Sequence, residues 1–222
     1  MRPAEIGHLL KLELLLDQRQ KHAMGGMLLY VASAVYVCYL AVRHIEEASV
    51  WNALFWLILL FAAFNTLARS FQREDTGRQL YLYTLTHPRS LVLARTLYNA
   101  LSMTAVSLLT LGAYTLFIGS DGLDDARWPA FSGIVVLGGI GFAAVLTLIG
   151  AIAARAGSGT GLMAVLGFPL VLPLLLSVMR ASQLALQGLG LETSGRYLVW
   201  LLAIDAITVA LSAVLYPYLW RD

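Results

Sequence analysis

Lysine is almost absent from this chain, which holds only Lys11 and Lys21 among its 222 residues. Neither lysine follows a glycine, so the chain lacks the Gly-Lys-Ser/Thr end of the phosphate-binding loop of P-loop ATPases. The glycine-rich run at 157–161 has no following lysine, and we interpret it as a tight turn between two apolar segments. We therefore expect no ATP hydrolysis by this route.

Cysteine and histidine are also scarce. The single cysteine, Cys38, excludes an internal disulfide and a C-x-x-C-H haem-attachment motif. The histidines are scattered without the spacing of a metal site, at His8, His22, His44 and His87. His44 is better explained as a solvated loop residue than as a haem ligand. We expect a chain that is not an enzyme and that binds no metal or cofactor itself.

Apolar residues take the place of the missing charge, since 59% of the chain is hydrophobic and 13% is charged. Average soluble domains are about 25% charged. Six apolar runs approach the roughly 20 residues that cross a bilayer, at about 23–42, 50–68, 91–118, 129–154, 161–179 and 197–220. Backbone groups in lipid must bond internally, so we predict a single-domain (1–222), all-α polytopic membrane protein. The net charge of +2 does not favour nucleic acid as a partner.

Lysine and arginine divide unequally between the two ends of these runs. Eleven fall on the side that holds the N-terminus and residues 69–95, and four fall on the other side, at Arg43, Arg127, Arg180 and Arg196. The positive-inside rule then predicts that both termini are cytoplasmic. The first apolar run is too long for a signal peptide, so we expect the N-terminus to be retained.

Residues 3–22 have the pattern of an amphipathic helix lying in the membrane interface. The residues that can share its apolar stripe are Ile6, Leu9, Leu10, Leu14 and Leu16. The alternative is a short soluble helix packed on a partner. Aromatic residues near the ends of the runs are interpreted as interfacial anchors, namely Trp51, Trp128, Trp200, Tyr218 and Trp220, whereas Trp56 is more central and is interpreted as a packing residue.

Two polar or irregular features lie inside the apolar runs. Asp205 follows Tyr197 by eight residues, which is roughly 12 Å along a helix, and a carboxyl at that depth is a functional candidate. Its alternative role is helix packing through a bond to Asn99 or to a hydroxyl such as Thr208. Pro169 and Pro173 predict a kinked or broken helix, serving either as a hinge or as a fixed structural kink.

Small residues form a third feature of the apolar runs. The sequence Gly138-Gly139-x-Gly141 precedes Ala143 and Ala144 and predicts close helix contact within the subunit or at a dimer face.

The polar stretch at 70–95 separates the second and third runs and carries the strongest functional signal. Residues 70–90 are predicted to form a cytoplasmic coupling element. Exposed aromatic and aliphatic side chains on so short an element favour burial in a groove of another protein; the alternative is a helix lying on lipid headgroups. The candidate docking residues are Glu74, Asp75, Gly77, Leu80, Tyr81, Tyr83 and Pro88.

This stretch resembles the coupling element of six-span ABC-exporter permeases, in which an in-plane N-terminal helix precedes the first span. The acidic-x-x-Gly pattern and the Leu-Tyr-x-Tyr-Thr-x-x-x-Pro pattern after it are carried by Glu74, Gly77, Leu80, Tyr81, Tyr83, Thr84 and Pro88, with Arg95 following. Within that class the chain resembles the haem exporter protein B (CcmB) family of cytochrome c maturation. The features in common are YTLTHPRSLVLAR, the proline-containing FPLVLPLLL and the ending LYPYLW.

The resemblance implies a non-catalytic permease subunit in the bacterial inner membrane. It implies a CcmA-like ATPase that binds ATP, a CcmC-like haem-handling membrane protein, and haem as the cargo of the complex, delivered through a haem chaperone. Two alternatives remain open at this point. One is the permease of another six-span ABC exporter, for drugs, lipids or polysaccharides; the other is a membrane scaffold without ATP coupling.

Overall fold

A computed structural model describes residues 3–19, 21–42, 45, 47–72, 88–120, 123–155, 159–189 and 191–219. These residues form seven α-helices and no strand. The helices are α1 (Pro3–Arg19), α2 (Lys21–Ala41), α3 (Ala48–Gln72), α4 (Pro88–Ile118), α5 (Trp128–Arg155), α6 (Gly159–Leu186) and α7 (Leu191–Leu219).

Five of these helices contain an apolar stretch long enough to cross a membrane, so the chain is a multi-pass, all-α membrane protein. The stretches are Ala48–Ala68, Ser90–Ile118, Trp128–Ala153, Gly161–Leu186 and Gly195–Leu215. The apolar part of α2 is shorter and runs from Gly25 to Ala41. A complete crossing by the predicted first span, 23–42, therefore stays a prediction.

The fifth predicted span, 161–179, is shorter than the helix that contains it. Its predicted end is Met179, next to Arg180, but α6 continues to Leu186. Arg180 is exposed on the helix surface, whereas Ser182 and Ala185 on the same stretch are buried. A long arginine side chain can lie at the edge of a packed helix without ending it.

The end of α6 is set by a glycine. Gly188 has a φ of +73°, a conformation that side chains disfavour. The amides of Gly188 and Leu189 donate to the carbonyls of Ala185 and Leu184, at 3.3 and 3.0 Å, which is the bond pair of a Schellman cap. The amide of Arg127 donates to the Ala185 carbonyl as well, at 2.9 Å, so the start of α5 is joined to the end of α6.

Successive helices run in opposite directions, which defines two ends of the bundle. The indole of Trp51, near the start of α3, donates to the carbonyl of Gly119, just after α4, at 3.0 Å. We call this the distal end, where α3 and α5 begin and α4 and α6 end. The opposite, proximal end is where α3 ends and α4 begins, and segment 73–87 connects those two helices there.

The interpretation of Trp51 as an interfacial anchor is wrong, because its side chain is only 1% exposed. The ring packs against those of Tyr114 and Phe131, with centroids 4.7 and 5.6 Å away, and the Tyr114 hydroxyl donates to the Trp51 carbonyl at 3.0 Å. Trp200, which is 59% exposed, does lie on the outer surface. Position near a span end therefore did not distinguish an anchor from a core residue.

Candidate functional site

The N-terminal helix α1 packs on the first turns of α4, immediately after segment 73–87. Leu9 is buried against Leu91 and Ala94, and Ile6 packs beside this cluster. The helix that leaves the predicted coupling element is thus attached to the N-terminal helix.

Polar groups accompany this apolar contact. The Ser90 hydroxyl donates to the Glu5 carboxylate at 3.3 Å. Arg95 and Thr96 are buried one turn further along α4, and the Thr96 hydroxyl has no hydrogen-bond partner among the residues that the structure describes. The start of α4 therefore combines a buried cation with a mixed polar and apolar contact to α1.

The amphipathic pattern of α1 corresponds to this contact over part of its length. Leu9 is buried and Ile6 and Leu10 are half-buried, whereas Leu14 and Leu15 are exposed. The first half of the predicted stripe therefore faces α4. Whether the second half lies on lipid remains a prediction.

Most of the predicted docking residues lie outside the described part of the chain, namely Glu74, Asp75, Gly77, Leu80, Tyr81 and Tyr83. Pro88 is the first residue of α4, a position that suits a residue without a backbone N–H. The described structure thus shows what flanks the predicted coupling element.

Three glycines of α5 each contact a side chain from a different helix in the middle of the bundle. A Cβ on Gly138 would lie 2.6 Å from the indole of Trp56 on α3, and a Cβ on Gly139 would lie 2.5 Å from the hydroxyl oxygen of Ser107 on α4. A Cβ on Gly141 would lie 2.5 Å from a carboxylate oxygen of Asp205 on α7. The small-residue stripe therefore serves packing within the subunit, and it makes α5 the helix that α3, α4, α6 and α7 all contact.

Asp205 lies at this crossing, where its side chain is 8% exposed. Its Oδ1 atom has no hydrogen-bond partner in the described structure. The two suggested partners bond elsewhere, since the Asn99 amide donates to the Thr147 hydroxyl and the Thr208 hydroxyl donates to the Ile204 carbonyl, both at 2.8 Å. A buried acceptor without a partner is costly in lipid, and it marks position 205 as a functional candidate.

Pro169 and Pro173 lie on the exposed surface of α6, whereas Asp205 is buried on α7. The helix α6 is continuous through both prolines, from Gly159 to Leu186. The broken helix that was one expectation is therefore not observed. Leu174, next to Pro173, is buried and would lie 2.7 Å from a Cβ on Gly141, so the proline-containing turn contacts the glycine stripe through its other face.

A buried polar network that the sequence analysis missed joins α3 to α6. The Trp56 indole donates to the Ser182 hydroxyl at 2.8 Å, and that hydroxyl also lies 2.8 Å from the Asn52 side-chain oxygen. The Asn52 amide donates to the Met179 carbonyl at 2.8 Å. The available signal was the spacing of Asn52 and Trp56 by four residues, which puts both on one helix face.

The family model described as "CcmB protein" matches residues 5–218. The chain belongs to the CcmB family. No curated protein and no solved structure matches it.

Membership of the CcmB family makes the chain a membrane component of the ABC system for haem export and cytochrome c maturation. The match begins at Glu5, within α1, so the helix that packs on α4 belongs to the family region. It also covers segment 73–87, the glycine stripe and Asp205.

The attachment of α1 to α4 in this CcmB-family protein can be tested at Leu9. We expect Leu9→Asp to free α1, because it places a charge in the contact with Leu91 and Ala94. Limited trypsin digestion in mild detergent should then cut at Lys11 several times faster than in the unmodified protein. Leu15→Asp, at an exposed position on the same helix, is the matched control and should digest at the original rate. Equal digestion of the Leu9→Asp variant would show that the contact does not hold α1.

Proposed function

We propose that this chain is the membrane subunit through which a separate CcmA-like ATPase acts on haem delivery or on release of the haem chaperone for c-type cytochromes. The observation that carries the proposal is the family match over residues 5–218. The chain contributes no ATP site of its own in this proposal. A CcmC-like membrane protein completes the complex.

The ATPase docks, in this proposal, on segment 73–87 and the first residue of α4. The docking residues are Glu74, Asp75, Gly77, Leu80, Tyr81, Tyr83 and Pro88. The segment joins two long apolar helices directly, so a displacement of the segment acts on the ends of α3 and α4. The contact of α1 with Ser90, Leu91 and Ala94 supports this assignment, because it fixes the base from which the segment leaves α4.

Movement then passes from α3 and α4 to α5, whose glycines contact both. Coupling between distant sites needs an element with two arrangements. We assign that role to the contact of Gly141 with Asp205 and Leu174, next to Pro173, with Pro169 one turn away. The prolines act there as a hinge in an otherwise continuous α6.

The membrane arrangement in this proposal has six spans, with α2 as the first and α1 in the plane of the interface. The proximal end faces the cytoplasm of a bacterial inner membrane, together with both termini, because eleven of the fifteen lysines and arginines fall on that side.

Partner identification tests the function. We expect tagged protein purified in mild detergent to bring down an ATPase subunit together with a CcmC-like protein. The double variant Tyr81→Asp, Tyr83→Asp should lose the ATPase by at least tenfold and keep the CcmC-like protein, because two aromatic side chains that dock on the ATPase in this proposal are replaced by charges. Quantitative mass spectrometry of the eluates measures both.

The matched control for this experiment is Leu189→Asp, an exposed apolar residue at the distal end that should change neither partner. An ATPase that stays bound to the double variant at the original level would refute docking on segment 73–87. An ATPase without any CcmC-like protein would favour another six-span exporter, and the absence of both would favour a scaffold.

A further inference from the structure

A groove of about 620 Å³ opens at the distal end between the first turns of α5 and those of α7. Its lining is almost wholly apolar and includes Trp128, Ala130, Gly133, Ile134, Leu137 and Leu198. A Cβ on Gly133 would meet no atom within 4 Å, so the floor of the groove is open at that residue. The volume lies in the range of ligand pockets.

A cation stands at the mouth of this groove. Arg127 lines the groove just before α5, its side chain is exposed, and its guanidinium makes no hydrogen bond or ion pair within the described residues. The Arg127 backbone is fixed by its bond to Ala185. Asp124 and Asp125 are exposed at the same end but do not line the groove.

The direction of the groove fits the bilayer. From Trp128 to Leu137 it follows α5 for nine residues, or about 13 Å at 1.5 Å per residue. One leaflet of the hydrocarbon core is about 15 Å, half of the usual 30 Å. Arg127 directly precedes the apolar span that begins at Trp128. With the cation at the interface, the apolar lining matches the depth of one leaflet, which is the orientation of a phospholipid in that leaflet.

We propose that this groove binds one anionic phospholipid, with an acyl chain along α5 and the phosphate on Arg127. A guanidinium matches a phosphate in charge and can donate two parallel hydrogen bonds to it. The lipid fills the space over Gly133 and joins α5 to α7, the two helices that meet again at Gly141 and Asp205.

A second groove of about 500 Å³ at the same end provides an internal comparison. It lies between α3 and α6, is lined by residues that include Ala53, Leu57 and Leu175, and ends at Ser49. The Ser49 hydroxyl is bonded to the exposed carboxylate of Glu47, so an acidic group stands at that mouth.

Lipid retention tests the proposal. The full-length protein is reconstituted in phosphatidylcholine vesicles with a minor fraction of phosphatidylglycerol and extracted in mild detergent. Native mass spectrometry then measures the mass of the protein with its bound lipids.

We expect one phosphatidylglycerol bound per chain. Gly133→Trp should abolish its retention, because the indole enters the groove, whereas Ala53→Trp, which fills the second groove, should not. Arg127→Gln should lower the affinity for phosphatidylglycerol about fivefold. Arg180→Gln changes a different exposed arginine, on α6, and should leave that affinity unchanged.

Three results would overturn the proposal. One is equal retention of phosphatidylglycerol by Arg127→Gln, which keeps the fold because the side chain is exposed. Another is equal retention of phosphatidylcholine and phosphatidylglycerol by the unmodified protein. The third is a Gly133→Trp variant that keeps its lipid but loses a second copy of the chain, which would make the groove a protein interface.

Discussion

Trp56→Ala is expected to lower the free energy of unfolding by about 3 kcal/mol, the lower end of the range for Trp→Ala changes in protein cores. Trp56 is fully buried, its ring lies on Gly138 and near Phe142, and its indole donates to Ser182. The lower end applies because a side chain in an unfolded membrane helix is already in lipid, so the change removes packing and a hydrogen bond rather than burial from water. Thermal unfolding in detergent should show a Tm lower by roughly 6–12 °C.

Two further variants separate the contributions at this position. Trp200→Ala removes the same side chain from the exposed surface of α7 and should shift Tm little. Trp56→Phe keeps much of the ring but loses the donor to Ser182, and it should cost about 1 kcal/mol. A Trp56→Ala protein as stable as Trp200→Ala would show that the contact of α3 with α5 and α6 does not carry the fold.

The helical, multi-pass architecture was predictable because a lipid environment leaves few choices. Apolar runs of membrane length must be helices, and most of their predicted ends lie within a few residues of the helix ends. The largest difference follows Arg180. The predicted span ends next to this charged residue, but the helix continues to Leu186 and is capped by Gly188, which has a positive φ, and by two hydrogen bonds.

Contacts between helices were harder to predict than the helices. The glycine stripe indicated close packing, but nothing in the sequence assigned Gly138 to Trp56, Gly139 to Ser107 or Gly141 to Asp205. Those assignments depend on the rotation of each helix about its axis, and an almost uniformly apolar surface carries little information about rotation. The network of Asn52 and Ser182 was missed for the same reason, since its members are 130 residues apart.

The candidate site, too, could be predicted from the sequence only in part. The contact of α1 with α4 could be suspected from the leucine stripe, but the stripe alone did not say whether lipid or protein covers it. Asp205 was recognised because any carboxyl at that depth is conspicuous, whereas its expected partners, Asn99 and Thr208, bond elsewhere. The docking role proposed for segment 73–87 rests on the resemblance of this segment to permease coupling elements and on the family match.

Gly141→Ala is expected to cost about 2 kcal/mol, within the usual range for overpacking a core. The added methyl would lie 2.5 Å from the Asp205 carboxylate and 2.7 Å from a methyl of Leu174, so the ends of both side chains must shift, and the burial of both residues leaves little room for that shift. Helix propensity alone predicts the opposite sign, because alanine favours a helix over glycine by up to about 1 kcal/mol. Gly112→Ala, at a position on α4 with no atom near the added Cβ, should therefore be neutral or stabilising.

A double-mutant cycle shows whether Asp205 is the cause of that cost. In an Asp205→Ala background the carboxylate is gone and only the flexible end of Leu174 remains near the new methyl. Gly141→Ala should then cost at least 1 kcal/mol less than in the unmodified protein, an interaction energy typical of side chains in contact. The same pair bears on coupling, since the proposed role of this crossing requires it to adopt two arrangements. Stimulation of the partner ATPase should fall in Gly141→Ala, whereas Gly112→Ala should leave it unchanged. Additive effects of Gly141→Ala and Asp205→Ala on stability would place the important contact of Gly141 elsewhere than at Asp205.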